Sequence, residues 1–291
     1  MTAYGNGAQE KAGIRMTAYG NEVQGKAKIS RTAYFQAEKM KFRHSVLPKI
    51  AVAMPLLCIL AAALLTWSYF TIDSYNWWYM YLGPGTAALL SGSIYMKDKK
   101  QKGRTLFCLP VDMGKVWDAK IAFGVCYLGI TSAILTVGVC FVRAVLKNIF
   151  SVPLQCEPSV AAQTAAAVLL WLSFLWQVPF CQLLTRFVGL FPMIFLHMAG
   201  YVVLSASLSV TSFYLAVPQG ITARMMCAVL GVLPNGLPAE PGQMTFSAEL
   251  LDRSSVWMGV PVSLLWFLAF WYLGRKCEKC FGKELGLLCN L

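Results

Sequence analysis

The sequence predicts an all-α integral membrane protein with six transmembrane helices and both termini in the cytoplasm. Composition is the first support. Hydrophobic residues make up 57% and charged residues only 13%, with a mean hydropathy of +0.58. A soluble domain carries roughly 25% charged residues, so too little polar surface exists to face water. The second is a set of six apolar segments near the length of about 20 residues that crosses a bilayer. The third is a one-sided distribution of Lys and Arg around those segments.

In chain order, residues 1–30 read as a flexible extension built on a 15-residue repeat. MTAYGNGAQEKAGIR is followed by MTAYGNEVQGKAKIS, and RTAYFQAEKMKFRHS keeps only Thr-Ala-Tyr and one lysine in register. These units are too few and too polar for a solenoid, and a duplication or an upstream start codon accounts for them. No secretory signal is expected, because the first apolar run begins near Ile50 behind this polar leader. Residues 31–49 form an N-terminal interfacial helix. Its apolar residues Tyr34, Phe35, Met40, Phe42, Val46 and Leu47 do not fall on one face at 100° per residue. The membrane domain covers 50–274, with spans at 50–70, 78–96, 121–142, 160–184, 188–214 and 256–273. Trp67, Tyr69, Trp77, Trp78, Trp117, Trp257 and Trp271 sit where an interfacial aromatic belt places them. Gly83-Pro84-Gly85 in the second span predicts a kink or a tight helix contact. A cytoplasmic tail, 275–291, follows.

Residues 1–49 hold nine Lys or Arg, 97–120 hold seven, Arg186 adds one and the tail holds four. Only Arg143, Lys147, Arg224 and Arg253 fall on the other side. Twenty-one against four places both termini in the cytoplasm of a multi-pass cell-membrane protein. The same placement explains the net charge of +12 without nucleic acid, and anionic lipid headgroups are the natural partners of the basic clusters.

Reactive chemistry is sparse. The six spans contain no Asp, Glu, Lys or Arg, and one histidine, His197. Ion-coupled transport normally needs a buried carboxylate or broken helices around an ion site, and a lone histidine is more often packed or hydrogen-bonded. A hydrolase needs a nucleophile with its base, a carboxylate pair or a metal motif, so the chain reads as a non-enzyme. The ten cysteines lie mostly in apolar segments. Cys277 and Cys280 form a CxxC followed only by Cys289, short of a four-ligand zinc site, so no metal is expected. Gly25-Lys26, Gly114-Lys115 and Gly282-Lys283 are not followed by Ser or Thr, which leaves no phosphate loop. If the protein moves a cargo, ATP and Mg belong to a partner chain.

Such a partner needs a cytosolic handle, and 97–120 is the one cytosolic loop long enough. Leu106, Phe107, Leu109 and Val111 are apolar residues in an otherwise charged loop, suited either to docking or to a short helix on the membrane surface. On the outer side, 216–255 holds an apolar stretch, 221–233, bounded by Pro218 and Pro234 and too short to cross. It reads as a re-entrant or interfacial helix, with Arg224 near the headgroups.

Taken together, Ala37-Glu38-Lys39-Met40-Lys41, Asn76-Trp77-Trp78-Tyr79, Leu82-Gly83-Pro84-Gly85 and Lys97-Asp98-Lys99-Lys100 form a familiar order. They are followed by Leu109-Pro110-Val111-Asp112, Lys115-Val116-Trp117 and Ala119-Lys120. This order resembles permease subunits of the ABC-2 type, specifically those of lantibiotic-immunity ABC transporters, the mutacin, nisin and epidermin self-protection group. Ala223-Arg224-Met225-Met226 and Leu233-Pro234-Asn235-Gly236-Leu237-Pro238 are similar to the same group. The similarity covers roughly residues 34–284, while the repeat and the CxxC depart from the pattern.

The resemblance implies a second permease subunit, identical or not, and two ATPase subunits whose ATP hydrolysis expels a lantibiotic from the membrane of a Gram-positive cell. By position it implies that Lys102, Arg104, Pro110, Asp112 and Lys115 belong to the ATPase-coupling loop, and Glu38, Lys39 and Lys41 to the interface helix. A cargo met at the cell surface would contact the outer segment, with Arg224, Pro234, Asn235 and Gly236 as candidates. Export of another amphipathic peptide or a lipid, and a non-transporting sensor or assembly role, stand as alternatives.

Overall fold

The computed structural model describes residues 30–100, 111–243 and 245–288, without the side chains of 99–100 and 281–288. Ten α-helices order these residues: α1 Arg31–Phe42, α2 Leu47–Leu65, α3 Phe70–Trp77, α4 Gly83–Lys100, α5 Met113–Asn148, α6 Val160–Phe174, α7 Gln177–Val188, α8 Leu190–Leu208, α9 Pro218–Leu230 and α10 Ser254–Leu288. No strand occurs among the described residues.

Five stretches are long and apolar enough to cross a membrane: Leu47–Leu65, Met113–Asn148, Val160–Val188, Leu190–Leu208 and Ser254–Cys280. Their outward faces carry Leu65, Val137, Phe141, Phe191, Phe195 and Trp257, all more than two-thirds exposed. Water would not tolerate that surface, and hydrocarbon would. The chain is therefore an all-α, multi-pass membrane protein.

The expected second span does not join these five by composition. Residues 70–100 nevertheless form one unbroken helical run, in which a π turn at Trp78–Leu82 links α3 to α4. The run packs against α2, α5, α7 and α8. It buries Tyr75, Trp78, Tyr79 and Ile94 together with polar Ser74, Asn76, Thr86 and Ser91. A helix enclosed by its neighbours has less need of an apolar surface than one facing lipid, which is why its hydropathy is low. At Gly83 an added Cβ would lie 2.5 Å from Cε2 of Phe174. The Gly-Pro-Gly sequence thus serves close approach of α6, with the helical irregularity one turn earlier.

Helix ends follow local chemistry. Ser30 accepts from the Ala33 N–H at 3.2 Å, and Ser159 from the Ala162 N–H at 3.1 Å, each meeting an otherwise orphaned donor. Gly189 alone separates α7 from α8, at φ 87° and ψ 179°, a region essentially confined to glycine. His197 is a packed residue: its Nε2 lies 3.1 Å from Gln177 Oε1, among Trp176, Phe180 and Tyr201.

The short apolar stretch expected to be re-entrant or interfacial forms the helix α9, Pro218–Leu230. α9 is enclosed by α6, α8 and α10, with Ile221, Ala223, Met225 and Met226 fully buried, so it does not lie on a surface. Arg224 corrects the expectation of a headgroup-facing charge. Its guanidinium is buried, donating to Ser209 O at 3.3 Å and Glu249 O at 2.9 Å and stacking over Tyr214 at 5.0 Å. Ser209 caps the C-terminus of α8, where unpaired carbonyls and the helix dipole favour a cation.

Candidate functional site: the clamped basic end of the bundle

The N-terminal helix α1 lies across the starts of α2 and α5 and the end of α4. Its buried residues are Tyr34, Glu38 and Phe42, spaced i, i+4, i+8 and so on a single face. Phe42 stacks on Phe123 of α5 at 5.2 Å between centroids. Between these aromatic anchors sits a chain of charge. Lys41 Nζ reaches Glu38 Oε1 at 2.6 Å and both oxygens of Asp98, at 3.0 and 3.2 Å. The Oδ2 of Asp98 takes Lys120 Nζ at 2.8 Å. Two carboxylates and two ammoniums therefore balance in one buried seam joining α1, α4 and α5.

The two carboxylates titrate in opposite directions. Burial alone would raise Asp98, but the ammoniums of Lys120 and Lys41 outweigh it and hold its carboxyl below the usual aspartate value. At Glu38 burial wins over the help of Lys41, so this carboxyl is raised. Lys41, although desolvated, is raised by Glu38 and Asp98.

A second set of contacts fastens α10. Arg186 of α7 pairs with Glu278 at 2.9 Å, and the Tyr95 hydroxyl donates to the same carboxylate at 3.1 Å. Lys120 lies over the Tyr95 ring at 5.2 Å, which links this set to the α1 seam. Arg275 pairs with Asp118 at 3.1 Å, and Trp271 Nε1 donates to Asp118 at 2.9 Å. Trp117 Nε1 donates to the Trp271 carbonyl at 3.1 Å, and its indole fills the space that a side chain at Gly274 would need.

Of the coupling-loop candidates, Lys102, Arg104, Leu106, Phe107, Leu109 and Pro110 lie outside the described residues. The remaining three are held by α1. Val111 packs with Tyr34, Val116 and Ala119. Asp112 caps α5 by accepting from the Gly114 N–H at 2.9 Å, and its own N–H donates to the Tyr34 hydroxyl at 3.2 Å. The Lys115 ammonium stands 5.9 Å from the Tyr34 ring centre. One short helix thus fixes both ends of the loop, Asp98 through Lys41 and Asp112 through Tyr34. Lys39 is exposed.

At the end of the bundle away from this basic seam, residues 231–239 form a hairpin. Leu233 N–H donates to Leu237 O and Ala239 N–H to Gly231 O, each at 2.8 Å. The Asn76 amide donates to the carbonyls of Leu233 at 3.1 Å and Pro234 at 3.3 Å, and to Tyr79 Oη at 2.8 Å. Pro234 is buried, Gly236 partly covered and Asn235 exposed; the Asn235 amide donates to Thr245 Oγ1 at 3.2 Å. Among the four cargo candidates, Asn235 is the open one. Glu157 pairs with Arg143 and Lys147 nearby in sequence, at 3.1 and 2.9 Å, and is thereby lowered, with the Lys147 hydrogen bond the main cause.

Asp98, Lys120, Asn76 and Tyr79 were not singled out from the sequence, although all four stand in the motifs that carry the resemblance. Among the described residues no group of three or more His, Cys, Asp or Glu could hold a metal, and the described cysteines are unpaired. Comparisons with family models, curated proteins and solved structures find no match.

Proposed function

We propose that the chain is the membrane-spanning permease subunit of an ABC transporter, with six spans, its basic end in the cytoplasm, and ATP bound and hydrolysed on a separate ATPase subunit. One observation carries the reading: α1 clamps both ends of the 97–120 loop, through Lys41–Asp98 and Tyr34–Asp112. A push on a loose loop is dissipated in the loop. A push on a loop fixed at both ends is delivered to α4 and α5, which the seam joins through Asp98 and Lys120. Four-sided packing of 70–100 then passes that displacement toward the outer hairpin, which Asn76 and Tyr79 of the same helical run hold.

The cargo is a lantibiotic expelled from the membrane, giving the producer self-immunity. This part rests on the resemblance of the motifs and on the outer hairpin as the segment facing the medium. A second permease subunit completes the pathway. The test is survival of a sensitive Gram-positive host across a lantibiotic panel, with the full operon, without this subunit, and with an ATPase that cannot hydrolyse ATP. Protection that needs both this chain and hydrolysis supports the proposal. Hydrolysis-dependent export without protection moves the cargo to another peptide or a lipid, and function without any ATPase refutes the permease reading.

A further inference from the structure

We infer that the groove between α1 and α5 binds an anionic glycerophospholipid of the leaflet at the basic end. The groove has a volume of about 510 Å3 and is lined by Lys39, Met40, Phe42, Arg43, Pro48 and Tyr127. Lys39 and Arg43 are exposed and four residues apart, so they project one turn apart from the same face. Neither joins an ion pair among the described residues, since the acid of this helix, Glu38, is turned inward onto Lys41.

The rest of the groove is apolar and runs into the span. Tyr127 follows Lys120 by seven residues on α5, about 10 Å further along the axis at 1.5 Å per residue. Pro48 stands in the first turn of α2, the first apolar helix. Lys39 and Arg43 therefore mark the polar mouth, Tyr127 a half-buried ring with a hydroxyl tip, and Met40, Phe42 and Pro48 the greasy wall. A phosphodiester seated between the two cations, with its acyl chains running past Met40, Phe42 and Pro48 toward the deeper Tyr127, matches that order. A free phosphate uses only the mouth. An acidic protein segment leaves the span-facing wall uncovered. The inference needs only a membrane and the basic end at its surface, so it stands apart from the ATPase reading.

The experiment uses the full chain reconstituted in nanodiscs of phosphatidylcholine with a minority of phosphatidylglycerol, followed by native mass spectrometry of the lipids retained on release. Wild type is expected to retain phosphatidylglycerol over phosphatidylcholine, with a preference of about fivefold for each basic residue at the mouth. K39Q/R43Q should lose the preference, and Y127S should weaken retention with both charges intact. R31Q/K276Q, which removes two exposed charges elsewhere at the same end, should behave as wild type. Wild type, K39Q/R43Q and R31Q/K276Q should melt alike apart from the bound lipid. Equal retention by K39Q/R43Q, or equal loss in R31Q/K276Q, overturns the site in favour of diffuse attraction. Displacement of the lipid by millimolar inorganic phosphate overturns it in favour of a free-anion site. Loss of an ATPase subunit by K39Q/R43Q with lipid retention unchanged assigns the face to a protein.

Discussion

Lys41 and Asp98 are 57 residues apart in the chain and 3.0 Å apart in the fold, and Asp98 shares its second oxygen with the nearly buried Lys120. Removing the shared carboxylate leaves Lys120 without its counter-charge in a desolvated seam. D98A is expected to cost about 3–5 kcal/mol, as for other buried pairs that lose one partner. D98L/K120L removes both charges and should recover most of that loss. Thermal unfolding in one detergent, followed by tryptophan fluorescence, checks both; a double variant as unstable as D98A would show that the seam depends on more than charge balance.

The same seam gives a pH dependence of definite sign. Glu38 is raised above 4.5 in the fold, so its contribution is fully present below 4.5 and is lost as pH rises through its folded value. Asp98 is lowered below 3.8, so its contribution is present above 3.8 and is lost as pH falls through its folded value. Lys41, raised above 10.5, keeps its contribution until pH rises beyond that. Stability should therefore increase as pH is lowered from neutrality toward 4.5, then fall as Asp98 is protonated. E38Q should lack the first increase. Denaturation profiles of wild type and E38Q across this range decide the point, and parallel slopes would assign the effect to another group.

At the far end, Asn76 is a strut and Asn235 an exposed tip. N76A leaves the Pro234 carbonyl without its amide donor and takes one donor from the Leu233 carbonyl, which keeps the Tyr79 hydroxyl and the Gly236 N–H; it should cost about 1–3 kcal/mol, loosening the hairpin as read by thiol labelling of a cysteine placed at 235. N235A gives up the exposed bonds to Thr245 and the Leu237 N–H and should cost about 0.5–1.5 kcal/mol, yet lower protection beyond that loss if the hairpin meets the cargo. Unchanged protection by N235A, at equal protein level, removes that contact. R224A does not discriminate, because the buried guanidinium holds Ser209 and Glu249.

Gly189 makes the reversal between α7 and α8 in one residue. G189A is expected to cost about 1–3 kcal/mol from backbone strain alone, since nothing lies within 4 Å of the added carbon. An unchanged melting temperature would show that the turn reorganises.

Six apolar runs were legible, and five of them coincide with helices long and apolar enough to cross a membrane, because hydrocarbon demands apolar side chains around much of a helix. The interior run at 70–100 was less legible for the converse reason: its neighbours supply the cover, and Ser74, Asn76, Thr86 and Ser91 dilute the signal. The face of α1 was missed because apolar residues alone were counted, whereas the buried stripe is Tyr34, Glu38 and Phe42. A carboxylate joins a buried face only when a distant cation meets it, and Lys41, Asp98 and Lys120 meet through tertiary structure rather than local spacing. Arg224 read as a headgroup contact because its sequence neighbours are apolar; the carbonyls that hold it come from Ser209 and Glu249, 15 and 25 residues away. The loop clamp had half a signal, since Asp98 and Asp112 both stood in the recognised motifs while Tyr34 did not.

The most direct test of the central claim is co-purification of the full chain with an ABC ATPase from its own operon, with ATP hydrolysis measured on the reconstituted complex. A stable complex whose hydrolysis is stimulated by this chain, and uncoupled by Y34F together with D98N while assembly persists, is the predicted result. No complex at verified expression of both proteins, or a protective function that persists when the ATPase is absent, would contradict it.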